Sequence, residues 1–439
     1  MPAPTTPPQG VIFRFWAPLA ATWLMMAAEG PFVAALIART SEPEANLAAF
    51  GVAFALAMIV EAPVVMLMSA SNALVRDRRS FQAVRRFTLL LCASQTAPML
   101  LLTVPPVFHL AADSILGLPA HVARPSYLAV VALLPWPAAI GYRRFYQGIL
   151  VRQGLTRRVA YGTAVRLTSM ATAGLALYHA HALPGAVVGT AALATGVVME
   201  AVASRLMVRP ALRSLPAGGE GEDVGLRSLL RFYLPLALTT LLAFGTSPVL
   251  TFFVARSRLA VESLAILPVL HALLFLFRAP GVAYQEIAIA LLGDDGAGLG
   301  GLQRFARSLA AALSLALTTL AFTPLALAWY QHVAGLSPTL TALAVPPLRL
   351  LVAMPALEVY LALLRARLVT QRRTGQVSRA SAVEIAVIAG VLGVAVFALH
   401  ATGVAAAAWA LLGGRVAAAA FLLRATGLKP PLPPTDAQQ

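Results

Sequence analysis

Apolar stretches that approach or exceed the ~20 residues needed to cross a hydrocarbon layer recur along the whole chain. Short breaks rich in Arg, Gly or Pro separate them. Twelve spans are predicted, over 12–38, 45–74, 83–106, 122–149, 156–180, 184–209, 227–255, 260–292, 303–330, 339–369, 377–399 and 403–425. Lipid offers no partner for a bare backbone polar group, so each span is expected to be helical and the protein an all-α membrane protein. Prolines inside the spans (Pro18, Pro31, Pro63, Pro135, Pro137, Pro248, Pro280, Pro355) each remove a donor from the helical ladder, and tilted or kinked helices are expected there.

Composition agrees with that pattern. The 439 residues are 59% hydrophobic and 11% charged, with a mean hydropathy of +0.80, an apolar excess beyond what one soluble core carries. The first ten residues are uncharged and Pro-rich, and the apolar segment after them is too long for a signal-peptide core, so it is expected to stay as the first span. The lone cysteine, Cys92, allows neither an intrachain disulfide nor a thiolate metal cluster.

The net charge of +16 raises the question of nucleic acid, but the basic residues sit at alternate helix ends and form no stripe with interleaved aromatics. Counted by side, about 25 Lys and Arg lie at the N-terminus, the even-numbered connections and the C-terminus, among them Arg76, Arg78, Arg79, Arg85, Arg86, Arg152, Arg157, Arg158, Arg372 and Arg373. The odd connections hold four, Arg39, Arg124, Arg256 and Arg258. The positive-inside rule therefore places both termini in the cytoplasm, and an inner or plasma membrane of a bacterial type is the expected location. Six of the seven histidines (His109, His121, His179, His181, His332, His400) fall on the opposite side, where polar helix ends account for them without a metal.

The sequence repeats itself. At an offset of 217, Arg14, Phe15, Pro18 and Leu19 align with Arg231, Phe232, Pro235 and Leu236. Pro31 then falls on Pro248, Arg39 on Arg256 and Pro63 on Pro280, with seventeen of the fifty positions from 14 to 63 identical. At an offset of 218, Pro137, Tyr142 and Gln153 align with Pro355, Tyr360 and Gln371. The unit is six helices, and an even number returns the chain to its starting side, so the two copies are parallel repeats about an axis along the membrane normal. The organisation expected is a tail over 1–11, an N-lobe over 12–209, a cytoplasmic linker over 210–226, a C-lobe over 227–425 and a disordered Pro-rich tail over 426–439.

A charge at mid-membrane costs at least ~2.5 to 3.5 kcal/mol on insertion scales and needs a partner, a wet cavity or a role. The candidates are Glu29, Glu61, Arg166, Glu200, Arg278, Glu286, Arg349, Glu358, Glu384 and Arg415. Glu61 aligns with Arg278 and Arg166 with Glu384, so cognate positions carry opposite charge and are expected to face one another across a central cleft. Arg166, Arg278, Arg349, Glu29 and Glu286 are the candidate substrate contacts; Glu61, Glu384 and Glu358 are candidates for gating or coupling. The competing expectation is static pairing between helices of one lobe, with Glu200, Arg349 and Arg415 the strongest cases for it. No phosphate-binding loop, paired-His zinc motif or nucleophile elbow is present, which disfavours an enzyme and ATP-driven transport.

Several stretches carry a family resemblance: RFWAPL from Arg14 with Glu29 downstream, FFVAR ending at Arg256 followed by AVESLAIL from Ala260, Pro280 with Glu286, PLRLLVAMP from Pro347, and TQRRT from Thr370. In their order and spacing they resemble the multidrug/oligosaccharidyl-lipid/polysaccharide (MOP) exporter superfamily, and within it the progressive ankylosis protein family. The resemblance implies two six-helix lobes forming a V, as in multidrug and toxic compound extrusion (MATE) transporters, and export of small polyanions such as citrate, other di- or tricarboxylates, nucleotide or pyrophosphate. One departure is Ser247 before Pro248, where the family pattern has a basic residue. The function expected is a monomeric secondary exporter of small anions working by alternating access, with no bound cofactor, H+ or Na+ as the coupling ion, the bilayer as its setting and no nucleic acid. The alternatives are a cation-coupled drug exporter, a lipid-linked saccharide flippase, and a non-transporting scaffold or integral-membrane enzyme.

Overall fold

The computed structural model describes residues 7–216, 225–292, 298–371 and 373–427. The acidic centre of the expected linker and the expected tail beyond Gly427 lie outside the described residues, as does Arg372. Among the described residues there are helices, turns and one isolated bridge, Arg258 with Thr402, but no strand.

Twelve helical rods follow one another: α1 (Gln9–Ile37), α2 (Pro43–Leu74), α3 (Arg78–Leu102), α4 (Ala120–Arg152), α5 (Thr156–Ala180), α6 (Gly185–Met207), α7 (Leu226–Val254), α8 (Ala260–Leu291), α9 (Leu299–Phe322), α10 (Pro338–Thr370), α11 (Thr374–Ala398) and α12 (Gly403–Thr426). Ten are by themselves long and apolar enough to cross a membrane. An eleventh crossing is α3 taken together with Pro105–Leu116, which turns from it by 81°. The twelfth rod, α5, is 25 residues long, but its hydroxyl residues and Arg166 dilute its apolar character. Apolarity alone therefore undercounts the rods by one.

Boundaries differ from expectation where polar residues extend a helix. The third span starts at Arg78, not 83, because Asp77 accepts from the Ser80 amide and the Ser80 hydroxyl answers the Asp77 amide, a reciprocal N-terminal cap. The ninth rod begins at Leu299 and ends at Phe322, before Pro324. The linker is not wholly loop: Arg209–Arg213 forms one further helical turn, and the Pro216 carbonyl accepts from the Arg78 amide.

The repeat is written in the backbone. α1 breaks at Ala28 and α7 at Gly245, positions 217 apart, each three residues before a proline that cannot donate. Among the described residues four non-glycine residues have positive φ, and they form two cognate pairs: Glu42 with Leu259, and His181 with His400.

Contacts define two ends of the bundle. Gln9 reaches Gly301, Arg152 reaches Asn72, and Arg158 reaches Met207 at the end that carries the first and last described residues. Asn46 caps Ala186, and Arg39 reaches His332, at the other. Within the halves, α5 packs on α6, α11 on α12 and α8 on α10, and α2 closes on α4. That last contact needs glycine: a Cβ on Gly148 would lie 2.2 Å from the Met68 carbonyl oxygen and one on Gly141 would lie 3.2 Å from the Val64 Cβ. The halves meet along α1, α2, α7 and α8, and one apolar core runs through both, so the arms of the expected V are drawn together.

Candidate functional site

The buried charges form two networks, one in each half. In the N-terminal half, Arg166 on α5 donates to Glu29 on α1 and lies 3.9 Å from Glu200 on α6. Arg143 on α4 donates to the same Glu200 oxygen, Oε2, and Gln147 adds a bond of 2.9 Å to Glu200 Oε1. Glu200 is fully buried and held from three side chains. Glu61, at the end of the first stretch of α2, accepts from the Trp136 indole N–H.

In the C-terminal half, Glu358 on α10 is the hub. Arg278 on α8 donates to it from Nε at 2.9 Å, Arg365 lies one side at 3.5 Å, and Arg415 on α12 lies at 3.5 Å. Arg415 also reaches Glu384 on α11 at 3.1 Å. Low-dielectric surroundings make such charges costly alone and strongly coupled together, so each is placed where several helices converge on it.

The two networks use equivalent rods with opposite sign. Helices α2, α4, α5 and α6 contribute Glu61, Arg143, Arg166 and Glu200; their counterparts α8, α10, α11 and α12 contribute Arg278, Glu358, Glu384 and Arg415. In direct contacts the N-terminal set has three carboxylates (Glu29, Glu61, Glu200) to two guanidiniums. The C-terminal set has three guanidiniums (Arg278, Arg365, Arg415) to two carboxylates.

The expectation that Glu61 faces Arg278, and Arg166 faces Glu384, across a cleft does not describe this state. Among the described residues no ion pair joins the halves. Partners within a half are nearer because the packed helices of one bundle bring Cα positions together before the other bundle can. Two candidates stand outside the networks. Glu286 is exposed and accepts from the Trp23 indole at 3.3 Å, a contact between the halves. Arg349 is exposed, donates to the Ala321 carbonyl at 3.1 Å and lies over the Phe322 ring.

Sequence reasoning missed Arg143, Gln147, Trp136 and Arg365. Arg143 lies inside the expected span over 122–149, and α4 continues to Arg152, which places it well within the helix. Its position inside that span was the available signal. Among the described residues Arg144 makes no ion pair, and it rests 3.6 Å from Met68 Sδ. Among the described residues no group of three or more His, Cys, Asp or Glu is placed to hold a metal ion.

No protein-family model matches the chain, and no curated protein matches its sequence. Solved structures do. An inward-facing MATE-family multidrug resistance transporter of the MOP superfamily superposes with a TM-score of 0.70 at 14% identity, covering 95% of this chain and 97% of that one. The lipid II flippase MurJ in an inward closed conformation superposes at 0.74 with 12% identity over 94% and 87% of the two chains. A MOP-superfamily transporter from Pyrococcus furiosus, described as having a binding pocket of reversed polarity, superposes at 0.60 with 14% identity over 96% of each. The chain therefore has the all-α fold of MOP-superfamily transporters, and the finer kinship with the progressive ankylosis family rests on the sequence resemblance alone.

Proposed function

We propose that the chain is a secondary active transporter of the MOP type that exports small organic or phosphorylated polyanions, of the citrate, dicarboxylate, nucleotide or pyrophosphate class. The observation that carries the anion assignment is the C-terminal network, in which Arg278, Arg365 and Arg415 outnumber Glu358 and Glu384. A guanidinium in excess within a low-dielectric bundle is a costly charge that an anion relieves, and its planar fork suits carboxylate and phosphate. Arg278 is half-buried on α8, one of the helices along which the halves meet, and is the foremost substrate contact.

The remaining roles follow from position. Arg166, Glu29 and Glu286 lie on α5, α1 and α8 and come within reach of the substrate as the halves part. Glu61, Glu358 and Glu384 gate the site or take up the coupling H+ or Na+; Glu29 Oε1, buried and without a hydrogen-bond partner among the described residues, offers an acceptor for the same cation. Arg349 is set aside from the substrate contacts. The protein works as a monomer in a bacterial inner membrane, with its termini in the cytoplasm where the excess of Arg lies.

A second reading, a flippase for lipid-linked saccharides, is favoured by one feature. An apolar groove of about 810 Å³ lies between α11 and α12, lined by Gly390, Val394, Leu399, Trp409 and Gly413, and is suited to an acyl chain. Purified protein in liposomes loaded with labelled citrate, ATP or an organic cation, or carrying a labelled lipid-linked sugar in the bilayer, tests both. Efflux of the anions is expected. Efflux of the cation alone, or flux only of a labelled lipid-linked sugar, overturns the anion reading.

A further inference from the structure

Two arginines 217 residues apart make the same set of contacts at the end of the bundle opposite the termini. Arg39, just past α1, donates to the Ala35 carbonyl of its own helix at 2.7 Å and crosses to the carbonyls of His332 and Val333 at 2.7 and 3.1 Å. Arg256, just past α7, donates to the Phe252 carbonyl of its own helix at 3.1 Å and crosses to the carbonyls of Ile115 and Leu116, the latter at 3.3 Å. Donor, own-helix acceptor and both cross acceptors all correspond at the one offset: 39 with 256, 35 with 252, 332 with 115 and 333 with 116.

The acceptors explain the geometry. Leu110–Leu116 and Trp329–Val333 are wide π-helical turns that end their rods. The last carbonyls of a helix have no intrahelical donor and carry the negative end of its dipole, so a guanidinium is a suitable cap. Here each cap comes from the opposite half, and each arginine is seated between two helix C-termini, one per half. Gly335, at φ +78°, allows the approach, since a Cβ there would lie 3.1 Å from Arg39 Nη1.

Resting on the alternating-access reading above, we propose that Arg39 and Arg256 are a two-fold symmetric latch that holds the outer end of the transporter shut, and that both must release their cross-lobe carbonyls for that end to open. The released carbonyls are satisfied by water once the end is wet, so the cost of opening is confined to the two guanidinium seats. Either arginine alone holds the end partly, because the two seats lie on opposite sides of the interface between the halves.

The test uses the full chain in nanodiscs, with Cys92→Ser as background and spin labels at Ser41→Cys and Thr339→Cys, exposed sites on opposite halves at this end. Pulsed electron resonance reads the distance between them. The Arg39→Gln/Arg256→Gln double variant is expected to move the distribution to longer distances, raising the ratio of open to closed by about three- to tenfold per latch, in line with the net worth of one ordinary hydrogen bond. Each single variant is expected to give a partial shift, which serves if the double variant fails to fold, and Arg39→Lys/Arg256→Lys a smaller one. A distribution unchanged in the glutamine variants overturns the latch. A shift without any substrate flux supports the latch and sinks the transport reading, so the two fail separately.

Discussion

Arg166 on α5 and Glu384 on α11 occupy equivalent positions of the repeat, yet each pairs with the neighbouring helix of its own half, Arg166 with Glu200 at 3.9 Å and Glu384 with Arg415 at 3.1 Å. Duplication kept the place for a buried ion pair between these two helices and inverted its direction. A pair reversed as a unit keeps its Coulomb energy, whereas changing one member leaves a buried charge alone.

Glu200 is the member whose loss is felt most. It is fully buried and neutralises Arg143 while sharing Arg166 with Glu29. Glu200→Ala is expected to destabilise the N-terminal half by roughly 3–5 kcal/mol, the usual cost of breaking one partner from a buried ionic network. Thermal unfolding in detergent measures it; a melting temperature within a degree of the parent would contradict the network.

Arg278 and Arg349 separate substrate binding from helix anchoring. Arg278→Gln is expected to abolish anion flux while leaving monodisperse protein. Arg349→Gln is expected to leave flux near the parent level, because Arg349 meets only the Ala321 carbonyl and the Phe322 ring. Efflux from loaded liposomes compares them directly, and equal flux through parent and Arg278→Gln removes that residue from the site.

Gly148 tests the packing of α2 on α4 independently of transport. Its Cβ would meet Ser71 Oγ at 1.9 Å and the Met68 carbonyl oxygen at 2.2 Å, so backbone must move. Gly148→Ala is expected to lower stability by about 1–3 kcal/mol, as overpacking does. Gly10→Ala, where nothing lies within 4 Å, is the control and is expected to change little.

Cys92 reports on the neighbouring contact of α3 with α4. It is buried, with Sγ 3.7 Å from the Ala138 carbonyl. A maleimide is expected to leave it unmodified in the folded protein and to label it fully after denaturation. Rapid labelling of the native chain would show that α3 and α4 part at this point.

Much of the architecture was legible in the residues themselves. Runs of apolar side chains mark the rods because lipid tolerates only satisfied backbone. Repeated Pro and Arg at one offset mark the two halves, down to the breaks at Ala28 and Gly245. The identity of the buried charges was likewise readable for Glu29, Glu61, Arg166, Glu200, Glu358 and Glu384, since a charge inside an apolar run has nowhere else to go. Arg143 was not among the candidates although it lies inside the expected span over 122–149, and its burial against Glu200 is decided by how α4 packs on α6.

Tertiary structure alone decided who pairs with whom. A hydropathy pattern places a residue along its helix but says little about the rotation of that helix or which neighbours it touches. Glu61 turned to Trp136, not to Arg278, and Arg39 found carbonyls nearly 300 positions away, because those choices depend on how separate rods pack. Depth in the membrane is a local property of sequence; partnership is a property of packing between segments the sequence keeps apart.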